Sequence, residues 1–186
     1  MNYLTCSLLL NEEIKILKEN LPSDNSEWED GKKTAGILAS NVKNNLQLNR
    51  NTDSSKKNTG FIVKKLLTNT LIKSFALPKK VHGIMFTKSS KGMKYGRHID
   101  NAYMSSGRAD LSFSLFLNKK NSYGGGELVI ENINSENKFK LNEGEIIIYP
   151  STYLHSVAEI TNGERLVCVG WIESYVKSIE EREYLF

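Results

Sequence analysis

One of the chain's three histidines stands in YGRHIDNA, residues 95–102, two positions before an aspartate. Side chains at i and i+2 of a strand project from the same face. His98 and Asp100 would therefore aim an imidazole nitrogen and a carboxylate oxygen at one point. Two histidines and one carboxylate grouped on one face hold divalent iron and leave three positions open for a cosubstrate and oxygen. The pair alone is a weak signal, because a solvated strand end carries the same residues. A third donor must come from His82 or His155. His82 follows a Pro-Lys-Lys turn and opens a strand, which reads as a surface or packing position. His155 lies in EIIIYPSTYLHSV, where an apolar strand over 145–149 ends in a proline turn and the next strand begins at Leu154. Such a return brings a later strand back beside an earlier one.

Ten residues on, Arg165 opens the strand of TNGERLV, next to the apolar Leu166, Val167 and Val169. A guanidinium near the interior needs an anion. It recognises a carboxylate in a planar, bidentate way. Glu164 or Glu159 at the rim would serve, and so would a ligand carboxylate. The succession of H-x-D, a strand-borne His and an Arg describes an iron site with a clamp for 2-oxoglutarate. Around it stand residues with two open readings. Arg108 and Asp110 either grip a substrate or pair with each other to close a loop. Asn101 either bonds the Asp100 carboxylate or makes a turn. Tyr149 and Trp171 are core aromatics or site residues, Tyr149 being placed to reach the 2-oxoglutarate carboxylate beside Arg165. Met85 and Met93 read as packing.

These residues need strands to position them. Residues 11–22 space Ile14, Leu17 and Leu21 as a short amphipathic helix ending at Pro22. The segment 50–60 is polar and turn-rich and reads as an exposed link. A helix follows over about 59–77, with Val63, Leu66, Leu67, Leu71 and Phe75 as its stripe and Pro78 beyond it. From residue 81 the period becomes that of strands, with six or more short β-branched or aromatic runs separated by turn signals. NSYGGGE reads as a turn or bulge needing positive φ. A phosphate loop would need a helix immediately after it, whereas ELVIE is a strand. The expected fold is one mainly β domain (α+β) over 1–186: a jelly roll at 81–186 with helical support from 1–80 packed on one face.

Composition narrows the class. The chain has 186 residues, 39% hydrophobic and 25% charged, with a net charge of +4. Its Lys and Arg are dispersed, which does not make a nucleic-acid binder. Cys6 and Cys168 sit in apolar runs as free thiols of a reducing compartment. No apolar run reaches the roughly 20 residues of a membrane span. The N-terminus lacks the basic and small-residue features of a signal peptide. A cytoplasmic protein is expected. The closing EYLF would dock on the body or on a second subunit, giving a homodimer. The polar stretches 24–36, 50–60 and 101–110 would border an open groove suited to a polypeptide, or be surface loops.

Several segments resemble, in the same order, those of the PKHD-type hydroxylases, Fe(II)/2-oxoglutarate dioxygenases related to prolyl 4-hydroxylases. They are EWEDGKKTAGILASNVKNNLQL, YGRHIDNA, GRADLSFSLFLN, YGGGELVIEN, the run from Lys140 to Val176, and EREYLF. The resemblance covers nearly the whole chain. It implies a double-stranded β-helix, with His98, Asp100 and His155 on iron and Arg165 on the distal carboxylate of 2-oxoglutarate. O2 would be consumed, succinate and CO2 released and an unactivated C–H hydroxylated, with ascorbate also required. The substrate would be a prolyl residue of a peptide or protein, or a small molecule. Two departures go with it: relatives extend beyond the final Leu-Phe, and FTKSSKGM has serines where the family tends to carry a tyrosine lining the cavity. Another class is a non-catalytic module of the same fold that senses or scaffolds a metal or carboxylate. A zinc hydrolase on the same three ligands would leave Arg165 without a purpose, and no H-E-x-x-H helix supplies its base.

Overall fold

The structure is a computed structural model and describes residues 3–34, 36, 40–131 and 135–186. The N-terminal part supplies strands as well as helices: β1 (Leu4–Ser7), helix α1 (Asn11–Glu19), β2 (Trp28–Asp30), β3 (Lys43–Asn44), β4 (Leu46–Leu48), and helices α2 (Asp53–Thr68) and α3 (Thr70–Ala76). Next come β5 (Pro78–Ser90), β6 (Lys94–His98), β7 (Tyr103–Met104), β8 (Gly107–Arg108), β9 (Leu111–Phe116) and β10 (Gly124–Gly125). The chain continues through β11 (Leu128–Glu131), β12 (Glu136–Phe139), β13 (Glu145–Pro150), β14 (His155–Val157), β15 (Ile160–Asn162) and β16 (Glu164–Ser174), and ends in helix α4 (Ile179–Leu185).

Two antiparallel sheets dominate. One has seven strands in the order β1-β13-β9-β16-β5-β4-β2, the other five in the order β12-β11-β14-β6-β3. The large sheet is covered on one face by helices: Ile14, Leu17, Ile62, Leu66, Ile72 and Phe75 pack with Ile84, Phe86, Phe113, Leu115, Ile146, Ile148 and Cys168 in one core. On its other face Phe116, Ile147, Tyr149 and Val167 meet Leu128 and Ile130 of the small sheet. This explains why β13 reads as an unbroken apolar run: alternate residues enter two different cores. β9 splits differently. In LSFSLF, Phe113 and Leu115 face the helices, while Ser112 and Ser114 line a cavity between the sheets. A serine at each of these two positions keeps that wall polar and leaves room in it.

Three readings of the N-terminal part change. The 53–60 segment is helix and not link, because Thr52 caps it by accepting from the Ser55 N–H and Asp53 stands in the first turn. The helix then breaks at Asn69, whose side chain caps α3 through the Ile72 N–H at 3.0 Å. α3 stops at Leu77, in the left-handed conformation just before Pro78. Of the expected stripe, Leu66 and Phe75 are buried, while Leu67 and Leu71 are exposed. Ile62 and Ile72 take those places in the core.

Of the three glycines after Tyr123, Gly125 and Gly126 have positive φ, as a turn at that point requires. Cys168 is buried and Cys6 partly so, and both are free thiols. Phe186 lays its ring edge-on against Phe75 at 5.4 Å, while Tyr184 and Leu185 point outward. No helix among the described residues is long and apolar enough to cross a membrane.

Candidate metal centre

His98 ends β6 and His155 begins β14, and antiparallel pairing sets the two residues opposite each other. Their rings lie 4.2 Å apart, centroid to centroid. Asp100 follows β6 by two residues. Its Oδ1 is 3.9 Å from His98 Nε2 and its Oδ2 3.8 Å from His155 Nε2. One ligand atom from each of the three falls within 4.8 Å of the others, so together they could hold one metal ion.

Each donor is oriented from behind. His98 Nδ1 donates to the Gly96 carbonyl and His155 Nδ1 to the Tyr153 carbonyl, both at 2.9 Å. That fixes the tautomer and turns both Nε2 lone pairs inward. Burial, with His155 alongside, lowers the His98 pKa to about 4, so its imidazole is neutral, as a ligand must be. Tyr95 stacks on the His98 ring at 3.7 Å. Asp100 Oδ2 accepts from Ser112 Oγ at 2.6 Å and from Trp171 Nε1 at 2.9 Å. These two donors hold the carboxylate in place, with Oδ1 toward His98 and Oδ2 toward His155. Trp171 in turn needs Gly83: a Cβ there would come within 2.4 Å of the indole, at a φ of +65°.

The three residues line a cavity of about 400 Å³, open to solvent, whose wall also includes Tyr149, Ser114, Thr87 and Arg165. Arg165 is 3% exposed and forms no ion pair among the described residues, so neither Glu164 nor Glu159 neutralises it. Its Nε and the nearby Tyr123 hydroxyl are buried without hydrogen-bond partners. Burial disfavours its charged form and lowers its pKa, and the Tyr123 and Tyr149 hydroxyls oppose that shift. A buried guanidinium keeps its charge and is stable only with an anion. A buried cation with no acidic partner, in the wall of the cavity that also holds a His2Asp donor set, fits an anionic cosubstrate beside a metal ion. Gly126 makes room for the pair, since a Cβ there would press on both Arg165 Cδ and the Tyr123 ring.

The remaining candidates separate. Tyr149 is buried, sits in the core between the sheets, lines the cavity and meets the His155 ring edge-on at 5.2 Å. Trp171 is held in the site by its bond to Asp100. Arg108 grips Asp110 through Nε at 2.7 Å and Nη2 at 2.8 Å, and also donates to the Ser174 carbonyl. Asp110 accepts from the Ser174 N–H, so the pair fastens β8 and β9 to the end of β16 and does not line the cavity. Asn101 lines the cavity, but Ser112 and Trp171 are the donors on Asp100. His82 is buried, donates from Nε2 to the Arg108 carbonyl and bonds Ser106 Oγ, a packing role. Met85 is buried in the cavity wall, and Met93 accepts from the Ser90 N–H. Sequence reasoning did not single out Tyr95, Ser112, Tyr123 or Lys43. Ser112 had a visible signal, a polar residue on the alternate face of an apolar strand; the other three depend on long-range pairing.

Comparison with known proteins now adds the family. The 2OG-Fe(II) oxygenase superfamily model matches residues 84–173, the span holding all three donors and Arg165. The chain is 72% identical over 186 residues to a PKHD-type hydroxylase of Prochlorococcus marinus strain MIT 9312, covering all of this chain and 84% of that one. It is 54% identical to another from strain MIT 9211, with the same coverage. The chain therefore belongs to the 2OG-Fe(II) oxygenases, and within them to the PKHD-type hydroxylases. It is a 2-oxoglutarate-dependent hydroxylase, and its family implies Fe(II), 2-oxoglutarate and O2.

Solved structures agree on the fold. A Pseudomonas putida prolyl-4-hydroxylase superposes with a TM-score of 0.65 at 17% identity, over 93% of this chain and 92% of that one. A Trichoplax adhaerens prolyl hydroxylase, solved with a hypoxia inducible factor peptide fragment, gives 0.62 at 14% identity, over 99% and 86%.

Proposed function

We propose that this chain, as a single domain built on a double-stranded β-helix, hydroxylates an unactivated C–H of a prolyl residue in a peptide or protein. 2-Oxoglutarate and O2 would be consumed and succinate and CO2 released. The observation that carries the reading is the orphaned Arg165 guanidinium, buried in the same cavity as the His98–Asp100–His155 donor set. A cation so placed has the Phe116 ring and the Tyr123 hydroxyl for neighbours but no acidic partner among the described residues, and a ligand carboxylate would supply the missing charge. The prolyl assignment draws on the prolyl hydroxylases that share the fold.

Each residue then has a task. His98 and His155 would offer their Nε2 atoms, each ring held from behind by its Nδ1 bond to a backbone carbonyl, and the Asp100 carboxylate would offset one of the two metal charges. Bound iron supplies the redox chemistry that couples decarboxylation of the keto acid to C–H hydroxylation. Ser112 and Trp171 hold the Asp100 carboxylate in its orientation through Oδ2, ready to serve as the acidic ligand of a bound metal. Arg165, with Tyr149 and Tyr123 beside it, holds the distal carboxylate of 2-oxoglutarate and so orients its keto-acid end toward the metal. Apolar wall residues such as Leu128, Val157 and Val169 limit water around the reacting centre. Ascorbate would keep the iron in its divalent state.

The test is an anaerobic Fe(II) titration with and without 2-oxoglutarate, following the visible charge-transfer band of a chelated keto acid. A band that vanishes in His155→Ala and needs far more 2-oxoglutarate in Arg165→Ala is the expected result. No band at saturating Fe(II) in the wild-type protein would instead favour a non-catalytic binding module.

A further inference from the structure

The cavity mouth has two unlike banks. On one, the exposed Ile99 and Tyr103 (75% exposed), with the partly buried Met104, present apolar surface. On the other stand Lys43 and Arg50. Lys43 belongs to β3, the edge strand of the small sheet, and pairs in register with Tyr95, the residue stacked on His98. It is only 4% exposed, yet its ammonium bonds no carboxylate: Nζ lies 3.2 Å from Thr34 Oγ1 and 5.2 Å from the centre of the Tyr95 ring. Thr34 Oγ1 donates onward to Gln47 Oε1 at 2.5 Å. That chain holds the lysine across the gap from the edge of the small sheet to β4 of the large one. Arg50, at the exposed rim of the same bank, has no ion pair either, and none of the residues outside the described set is acidic.

Arg165 has its own task on β16, so these two cations are surplus to cosubstrate binding. A buried ammonium costs free energy unless an anion meets it. Natural chains place such a group where a ligand supplies the missing charge. Resting on the hydroxylase reading above, we infer that Lys43 and Arg50 form a substrate subsite for an anionic group, carried next to an apolar moiety that lies against Ile99, Tyr103 and Met104. The substrate class is thus an acidic one. A peptide would carry a carboxylate near the hydroxylated residue, and a small molecule would carry a carboxylate or phosphate. Lys43 sits one ring away from His98, and it would set which C–H faces the metal; Arg50, at the rim, would draw the anion in.

The experiment uses full-length protein loaded with Mn(II) and 2-oxoglutarate, so that Arg165 is already engaged. Two fluorescent peptide pools with a fixed central proline are compared by anisotropy, one flanked by Asp and Glu, the other by Asn and Gln. Inorganic phosphate, titrated by calorimetry, is the free-anion arm. The acidic pool, or phosphate, is expected to bind about tenfold or more tighter than the amide pool. Lys43→Met and Arg50→Gln should each abolish that preference and Lys43→Arg should retain it. The Fe(II)–2-oxoglutarate band should persist in all three. Preference for the acidic pool assigns a peptide-borne anion, and phosphate binding alone a free one. Equal binding of every probe by wild type overturns the proposal, as does a preference that survives in Arg50→Gln and Lys43→Met. Loss of the band in those variants also overturns it, by assigning the cations to the cosubstrate. A wild-type protein with no band at all fails the hydroxylase reading itself, a distinct result.

Discussion

Trp171 donates its indole N–H to Asp100 Oδ2 at 2.9 Å, tying the middle of β16 to the carboxylate that follows β6. Ser112 Oγ reaches the same oxygen at 2.6 Å and is itself bonded to Ser151 Oγ at 2.8 Å. The carboxylate is thus held by two donors from the large sheet, while the histidines belong to the small one. Trp171→Phe keeps the ring and removes the donor. Fe(II) affinity should fall about ten- to a hundredfold with little loss of fold stability, measured by metal titration beside urea unfolding. Unchanged affinity would make Trp171 a packing residue only.

Gly83→Ala should reach the same carboxylate by another route. The added methyl would collide with the indole, and its backbone lies at a φ of +65°. A destabilisation of about 1–3 kcal/mol is expected, together with weaker Fe(II) binding. Trp171→Phe should show the second effect without the first. The comparison separates orientation of Asp100 from general loss of packing.

Arg165→Met is expected to divide stability from function. The wild-type side chain buries a charge with no counterion, so a methionine of similar length should leave the metal-free protein as stable, or more stable by about 1–2 kcal/mol. Its affinity for 2-oxoglutarate should fall roughly a hundredfold. Thermal unfolding with and without cosubstrate reads both. An apo-protein that loses stability in Arg165→Met would show the guanidinium to be structural.

How much of this could be read in the sequence depends on the range of the interactions. The i, i+2 spacing of His98 and Asp100 is local, and it announced the donor pair, although β6 stops at His98 and Asp100 lies two residues beyond it. The strand-turn-strand around Pro150 announced His155, and the apolar neighbours of Arg165 announced a buried cation. Trp171 and Asp100 are far apart in sequence, and only the packing of the large sheet against the segment after β6 brings them together. The same holds for Lys43, which is an ordinary polar residue in NVKNN until β3 pairs with β6. The N-terminal strands were missed because β2, β3 and β4 have only two or three residues each. Such lengths give no periodicity to detect; a neighbouring strand defines them.

Arg108 and Asp110 illustrate the opposite outcome, a charged pair in a polar loop that serves the fold. The Arg108 fork closes on Asp110, and both bond Ser174. Asp110→Ala should cost about 2 kcal/mol of stability by removing the bidentate partner of Arg108, which keeps Glu173, and by stranding the Ser174 N–H. The midpoint of the 2-oxoglutarate titration should stay where it is. A shifted midpoint at unchanged stability would return the pair to the substrate path.

Lys43 gives a prediction with a pH sign. Burial is the main reason its pKa falls from 10.5 to about 8, with Asp100 partly opposing the shift. Below pH 8 both folded and unfolded chains carry the proton, and the folded state bears the full cost of the buried cation. Between about 8 and 10.5 the folded chain releases the proton while the unfolded chain keeps it, so the unfolded state binds more protons and the Lys43 contribution becomes less unfavourable as pH rises. Lys43→Met should therefore stabilise the ligand-free protein at pH 7, by on the order of 1–3 kcal/mol. The gain over wild type should shrink across that window, as urea unfolding of both proteins at pH 7 and near pH 10 would read. A gain that is equal at both values would mean that the burden of this side chain is steric. The anion subsite would then lose the unmet charge on which it rests.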